Sequence, residues 1–126
     1  MEQSNTKKIL IADDDELMAR ALIIRLTKAG FAVTHVLNGK DALDRLSGER
    51  FDLILSDLAM STSGFEVLEE LRSRGNTVPI IVHSSLAQES DVAKVKALGA
   101  KEFFVKSQTK VDDIVGYIEK LLGQQG

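Results

Sequence analysis

The sequence predicts an α/β fold, a doubly wound five-stranded parallel sheet with helices on both faces. Three observations carry that expectation. Five short apolar runs recur along the chain, each about 20 to 25 residues after the last. The segments between them place apolar residues at helical spacing, and such strand–helix alternation builds βαβ units. The runs themselves are nearly continuous in apolar residues, as strands covered on both faces are.

The five expected strands are "KILIA" (8–12), "AVTHV" (32–36), "LILS" (53–56), "IIVHS" (80–84) and "FFV" (103–105). Glycines punctuate the helices between them: Gly30, Gly48, Gly75 and Gly99 each stand where a left-handed C-terminal cap is expected. The last helix shows the cleanest stripe, with Val111, Ile114, Val115, Ile118, Leu121 and Leu122 on one face. Five strands are too few for an eight-stranded barrel, so an open sheet with right-handed crossovers follows.

Residues 1–126 read as a single domain, with 44% apolar and 28% charged residues, the balance of an ordinary globular protein. No apolar run approaches the roughly 20 residues of a membrane span, and the opening "MEQSNTKK" has no signal-peptide core. The lack of cysteine removes disulfides and thiolate metal sites and fits a cytoplasmic location. A net charge of −3 without a basic stripe argues against direct nucleic-acid binding.

In open α/β sheets, ligands bind beyond the carboxyl ends of the strands. Asp13 and Asp14 follow the first run, Asp57 the third and Lys106 the fifth, while Ser84 and Ser85 end the fourth. Carboxylates, a hydroxyl and an ammonium thus converge on one edge. Asp15 and Glu16 read instead as residues that start a helix, where its dipole favours acids. No G-x-G-x-x-G, Walker-type loop or G-x-S-x-G elbow is present, which excludes the common nucleotide and serine-hydrolase motifs. His35 and His83 lack metal-ligand spacing and read as structural, His83 as a satisfied imidazole. Met18 and Met60 read as packing.

These residues resemble the receiver domain of two-component response regulators over essentially the whole chain. The resemblance rests on the acidic pair of "ILIADDDE", the aspartate of "FDLILSDLAM", the glycine of "SGFEVLEELR", the run "PIIVHSS" and "GAKEFFVK". It implies a flavodoxin-like strand order, 2-1-3-4-5. By position, Asp57 is similar to the phosphoryl-accepting aspartate. Asp14 matches a direct Mg²⁺ ligand, Asp13 one acting through water, and Ala59 a ligand through its backbone carbonyl. Ser84 matches the hydroxyl that bonds the phosphoryl group, Lys106 its charge partner, and Phe103 the aromatic switch.

The implied partners are a sensor histidine kinase or phosphotransfer protein and a downstream effector or output domain. A phosphorylation-dependent homodimer is compatible with the resemblance. The domain is expected to catalyse only its own phosphorylation and dephosphorylation, so it is not an enzyme in the turnover sense. The alternative is a pseudo-receiver scaffold that is never phosphorylated and acts by protein–protein contact. A free-standing Mg²⁺ phosphohydrolase would need a second acid or base, and none is evident. Departures from the family pattern are a missing proline and a shorter loop in "DLAMSTSG", Ser63 for an aspartate, Ser84 for threonine, and Ser107 for the proline after the lysine. A non-proline cis bond costs about 2.5–4 kcal/mol, so the Lys106–Ser107 bond is expected to be trans.

Overall fold

A computed structural model describes residues 6–59, 64–85 and 88–123. Along the chain run β1 (Lys8–Ala12), α1 (Glu16–Lys28), β2 (Ala32–Val36), α2 (Gly39–Gly48), β3 (Leu53–Ser56) and α3 (Gly64–Ser73). They are followed by β4 (Ile80–Ser84), α4 (Glu89–Ala97), β5 (Glu102–Val105), a single 3-10 turn (Lys106–Gln108) and α5 (Val111–Leu122). The sheet is parallel throughout, in the expected order β2-β1-β3-β4-β5. Met60, Ser63 and Leu86, on which expectations above or below bear, lie outside the described residues.

Burial follows strand order. In the three central strands nearly every residue is buried, whereas β2 and β5 at the edges are only partly so. Alternate side chains feed two cores, as the pleat requires. Leu10, Ile54, Ile80 and Val82 pack with Ala42, Leu68, Leu71 and Val95 from α2, α3 and α4. Ile9, Ile11, Leu53, Leu55 and Ile81 pack with Leu22 and Leu26 of α1 and Ile114, Val115 and Ile118 of α5. The α5 stripe read from sequence is the stripe that is buried, and Met18 packs against the same core.

Two local expectations are corrected. Gly30, Gly75 and Gly99 close their helices at positive φ, but Gly48 does not: it is the last residue of α2, and the chain leaves through Glu49 at φ −145°, ψ 144°. Lys8 at 2.7 Å and Arg45 at 2.9 Å hold the Glu49 carboxylate, so extended chain runs toward β3 without a left-handed turn. β5 begins at Glu102 rather than Phe103, because Glu102 pairs with Ile81 in the ladder while its carboxylate meets Lys96 at 3.4 Å. An edge strand can carry such a charge.

Ile118→Ala should cost about 2–5 kcal/mol, the range for deleting a fully buried branched side chain. Ile24→Ala, on the 58% exposed outer face of α1, should stay within about 0.5 kcal/mol. Urea denaturation of both variants checks this, and equal losses would contradict the packing described.

Candidate functional site

The sheet ladder extends just past its strands at the acidic edge. The Asp13 N–H donates to the Val36 carbonyl at 3.1 Å, and the Asp57 N–H to the Ala12 carbonyl at 2.9 Å. Both aspartates are therefore anchored by backbone bonds, and both side chains are buried, 2% and 4% exposed. Such burial needs a counter-charge. Lys106 supplies it: its Nζ lies 3.0 Å from Asp13 Oδ1 and 3.0 Å from Asp57 Oδ2.

Each carboxylate also accepts a backbone N–H. Asp13 Oδ1 accepts the Asp15 N–H at 2.9 Å, and Asp57 Oδ1 accepts the Ala59 N–H at 3.1 Å. Ser56 Oγ donates to the Asp57 carbonyl oxygen at 3.1 Å. Gly64 packs against that same carbonyl so closely that a Cβ there would overlap it, which explains a glycine at the start of α3. Asp15 caps α1, as its position suggested, accepting from the Met18 N–H at 3.2 Å. Its carboxylate also lies 3.8 Å from Lys106, a contact the capping role did not foretell.

The charges compete. Burial pushes the Asp13 carboxyl above its ordinary range, and the nearby Asp57 adds to this, while the Asp15 N–H and Lys106 only partly offset it. Burial alone would push Lys106 down, but Asp13 and Asp57 together outweigh it and hold the ammonium above the usual lysine value. One carboxylate oxygen from each of Asp13, Asp14 and Asp57 lies within 4.8 Å of the others, with Asp14 exposed at the rim. Against the single ammonium, three ionised carboxylates leave a local charge of −2. An all-oxygen cluster with that excess suits a hard divalent cation.

The other site residues fall as follows. Ser84 is fully buried at the end of β4, beside β3 in the sheet. Phe103 is partly buried against the core beneath α2, α3 and α4. Ala59 is exposed two residues past Asp57. The Lys106–Ser107 bond is trans, as no cis peptide occurs among the described residues, and Lys106 reaches Asp57 from the 3-10 turn.

Both histidines stand in surroundings that their spacing does not predict. His35 Nε2 lies 2.8 Å from the Asp13 backbone carbonyl oxygen. His83 is not the satisfied imidazole expected: it is 1% exposed, and neither ring nitrogen has a hydrogen-bond partner among the described residues. Its register partner is Phe104, and Ile81, two residues before it on the same face, lies in the apolar core under α1 and α5. Continuing the β3–β4 register past Leu55 and Ile81 sets His83 opposite Asp57. Burial first, and then the nearby Lys106 ammonium, hold its pKa down to about 4. Strand register was the signal that could have located both rings; spacing along the chain could not.

Residues 9–119 match the family model described as the response regulator receiver domain. The response regulator receiver protein CpdR of Brucella abortus is 34% identical over 122 residues, covering 92% of this chain and 97% of that protein. The Regulator of RpoS of Escherichia coli K12 is 33% identical over 101 residues, covering 79% of this chain; the chain spans only 30% of that relative's length. A CheY-like receiver domain protein from Methanospirillum hungatei superposes with a TM-score of 0.87 at 24% identity, covering 96% of this chain and 97% of that one, a likeness of fold.

The buried His83 sets a pH dependence. Between its folded value of about 4 and the ordinary 6.5, the unfolded chain binds a proton that the folded chain refuses. The His83 contribution to stability is therefore complete above pH 6.5 and is lost as the pH falls toward 4, by roughly 3 kcal/mol in all. His83→Val should flatten the denaturation midpoint across that window. Parallel wild-type and variant curves would show that His83 contributes no such dependence.

Proposed function

The chain belongs to the response regulator receiver domain family of two-component signalling, and from that premise we propose that phosphorylation of Asp57 switches it. The buried Asp13–Lys106–Asp57 bridge is the observation that carries this reading. The donor is a histidine kinase or phosphotransfer protein. The Asp57 carboxylate forms an O–P bond as the donor's P–N bond breaks, and the bonding pair leaves on the donor's imidazole nitrogen. The Ala59 N–H and Lys106 fix the plane of the attacking carboxylate, which reduces the cost of reaching the reactive geometry.

The oxygen-only donor set fits Mg²⁺ better than a metal that seeks nitrogen or sulfur. Asp13, Asp14 and Asp57, with the Ala59 backbone carbonyl, would hold it. When bound it would neutralise charge on the phosphoryl oxygens. Lys106 shares that task and already sits against Asp57. The dianionic product would draw the Ser84 hydroxyl toward it. Ser84 and Phe103 lie on adjacent strands, with Phe103 in register with Val82, so a shift of Ser84 would disturb the face on which Phe103 packs. That face would carry the signal to an effector protein or output domain, with homodimerisation as one form of output. On this reading the domain modifies itself rather than turning over an external substrate, and it works in the cytoplasm.

Acetyl phosphate with Mg²⁺ should add one phosphoryl group to the wild-type chain, read by intact mass. Asp57→Ala should abolish uptake, Asp14→Asn should reduce it sharply, and chelation should stop it. Uptake by Asp57→Ala, or indifference to chelator, would leave the scaffold reading instead. A second expectation concerns lifetime. In receivers, the residues two past the acceptor and two past the Ser/Thr border the path of water; here these are Ala59 and Leu86, both unable to orient a water by hydrogen bonding. The acyl phosphate should accordingly be long-lived, and Ala59→Asn should shorten its half-life. Equal half-lives would contradict that account.

A further inference from the structure

We infer that His35 is a positioning residue for the acidic site, an inference that rests on the metal-dependent phosphorylation reading. His35 lies on the edge strand β2, paired with Ile11 of β1, so its ring shares a sheet face with Ile11 and, two residues on, Asp13. Its Nε2 sits 2.8 Å from the Asp13 backbone carbonyl oxygen. A carbonyl oxygen only accepts, so Nε2 carries the proton in this contact. The Asp13 N–H meanwhile donates to the Val36 carbonyl. Two successive residues of β2 thus hold Asp13 on both sides, its N–H through a backbone carbonyl and its C=O through an imidazole.

The second hold matters because that carbonyl belongs to the peptide joining Asp13 to Asp14. β1 ends at Ala12, so no strand ladder fixes this peptide. Asp14 is exposed, and Lys106 bridges Asp13 and Asp57 but not Asp14. The orientation of the Asp13–Asp14 peptide decides whether the Asp14 carboxylate faces Asp13 and Asp57 or solvent, and His35 sets that orientation. Without the imidazole donor, the three carboxylate oxygens would lose the mutual approach that a divalent cation needs.

Isothermal titration of the full chain with Mg²⁺ alone tests this, with a thermal melt of each variant as control. His35→Phe keeps a ring and removes the donor; His35→Leu is a second non-donor variant should the first not fold. Either should weaken Mg²⁺ binding about tenfold, the low end for a partner that orients a metal ligand. His35→Gln, whose amide N–H can reach the same carbonyl, should return affinity to within about twofold of wild type. A residue that merely packs would change the melting temperature without this split between donor and non-donor variants. Unchanged Mg²⁺ affinity in the non-donor variants, or His35→Gln binding no better than they do, would overturn the inference. Failure of the wild-type chain to take up Mg²⁺ would instead overturn the phosphorylation reading, and this inference with it.

Discussion

A single ammonium holding two buried carboxylates is the constraint on which the acidic edge depends. The strand order makes that arrangement demanding. β1 and β3 are neighbours, so Asp13 and Asp57 are brought together by the sheet whether or not their charges agree. β5 lies beyond β4, two strand spacings or about 9.6 Å from β3. Only a long, flexible stem can carry a positive charge over the intervening strand. The end of β4 must stay low for it to pass, and there the chain places Ser84 and Ser85. The lysine, the small residues and the strand order thus form one solution to the same electrostatic problem.

His83 shows what the solution costs. It stands on β4 under the path that Lys106 takes, on the face shared with Ile81. Burial, and the positive charge overhead, outweigh the pull of Asp57 and Asp15 and keep the imidazole unprotonated, with no partner among the described residues to bond. The same position could hold an aliphatic side chain with less expense, since an unpaired buried polar group is costly. The ring therefore ties the stability of the site's floor to pH.

The central strands were legible because their chemistry is extreme. "KILIA", "LILS" and "IIVHS" are covered on both faces, so each shows an almost unbroken apolar run that matches the observed strand residue for residue. The edge strand β2 also matches its run residue for residue, but the other edge, β5, does not. Glu102 belongs to β5 because backbone pairing, not side-chain burial, decides the start of an edge strand. Gly48 looked like a helix cap, yet ion pairs to Glu49 decide how α2 ends. The site's acids and lysine could be found because topology sends every strand's carboxyl end to one edge. The histidine contacts could not, because His35 meets Asp13 across 22 residues of chain through strand register.

The proposed switch would divide its labour between the two sheet faces. Lys106 follows Phe104, and His83 follows Ile81, on the side covered by α1 and α5. Phe103 packs on the other side, against the core under α2, α3 and α4, as does Val82, two residues before Ser84. On the proposed reading, charge added at Asp57 would act on one face, while Phe103 and Val82 pack on the other. Among the described residues, a route between them that does not cross the buried sheet passes over the ends of β4 and β5. There the backbone changes from ladder to loop, and Ser84 pairs with Val105, the residue just before Lys106. A small movement of Ser84 or Lys106 at that junction displaces the last ladder pair, while the closely packed interior of the sheet resists the same deformation.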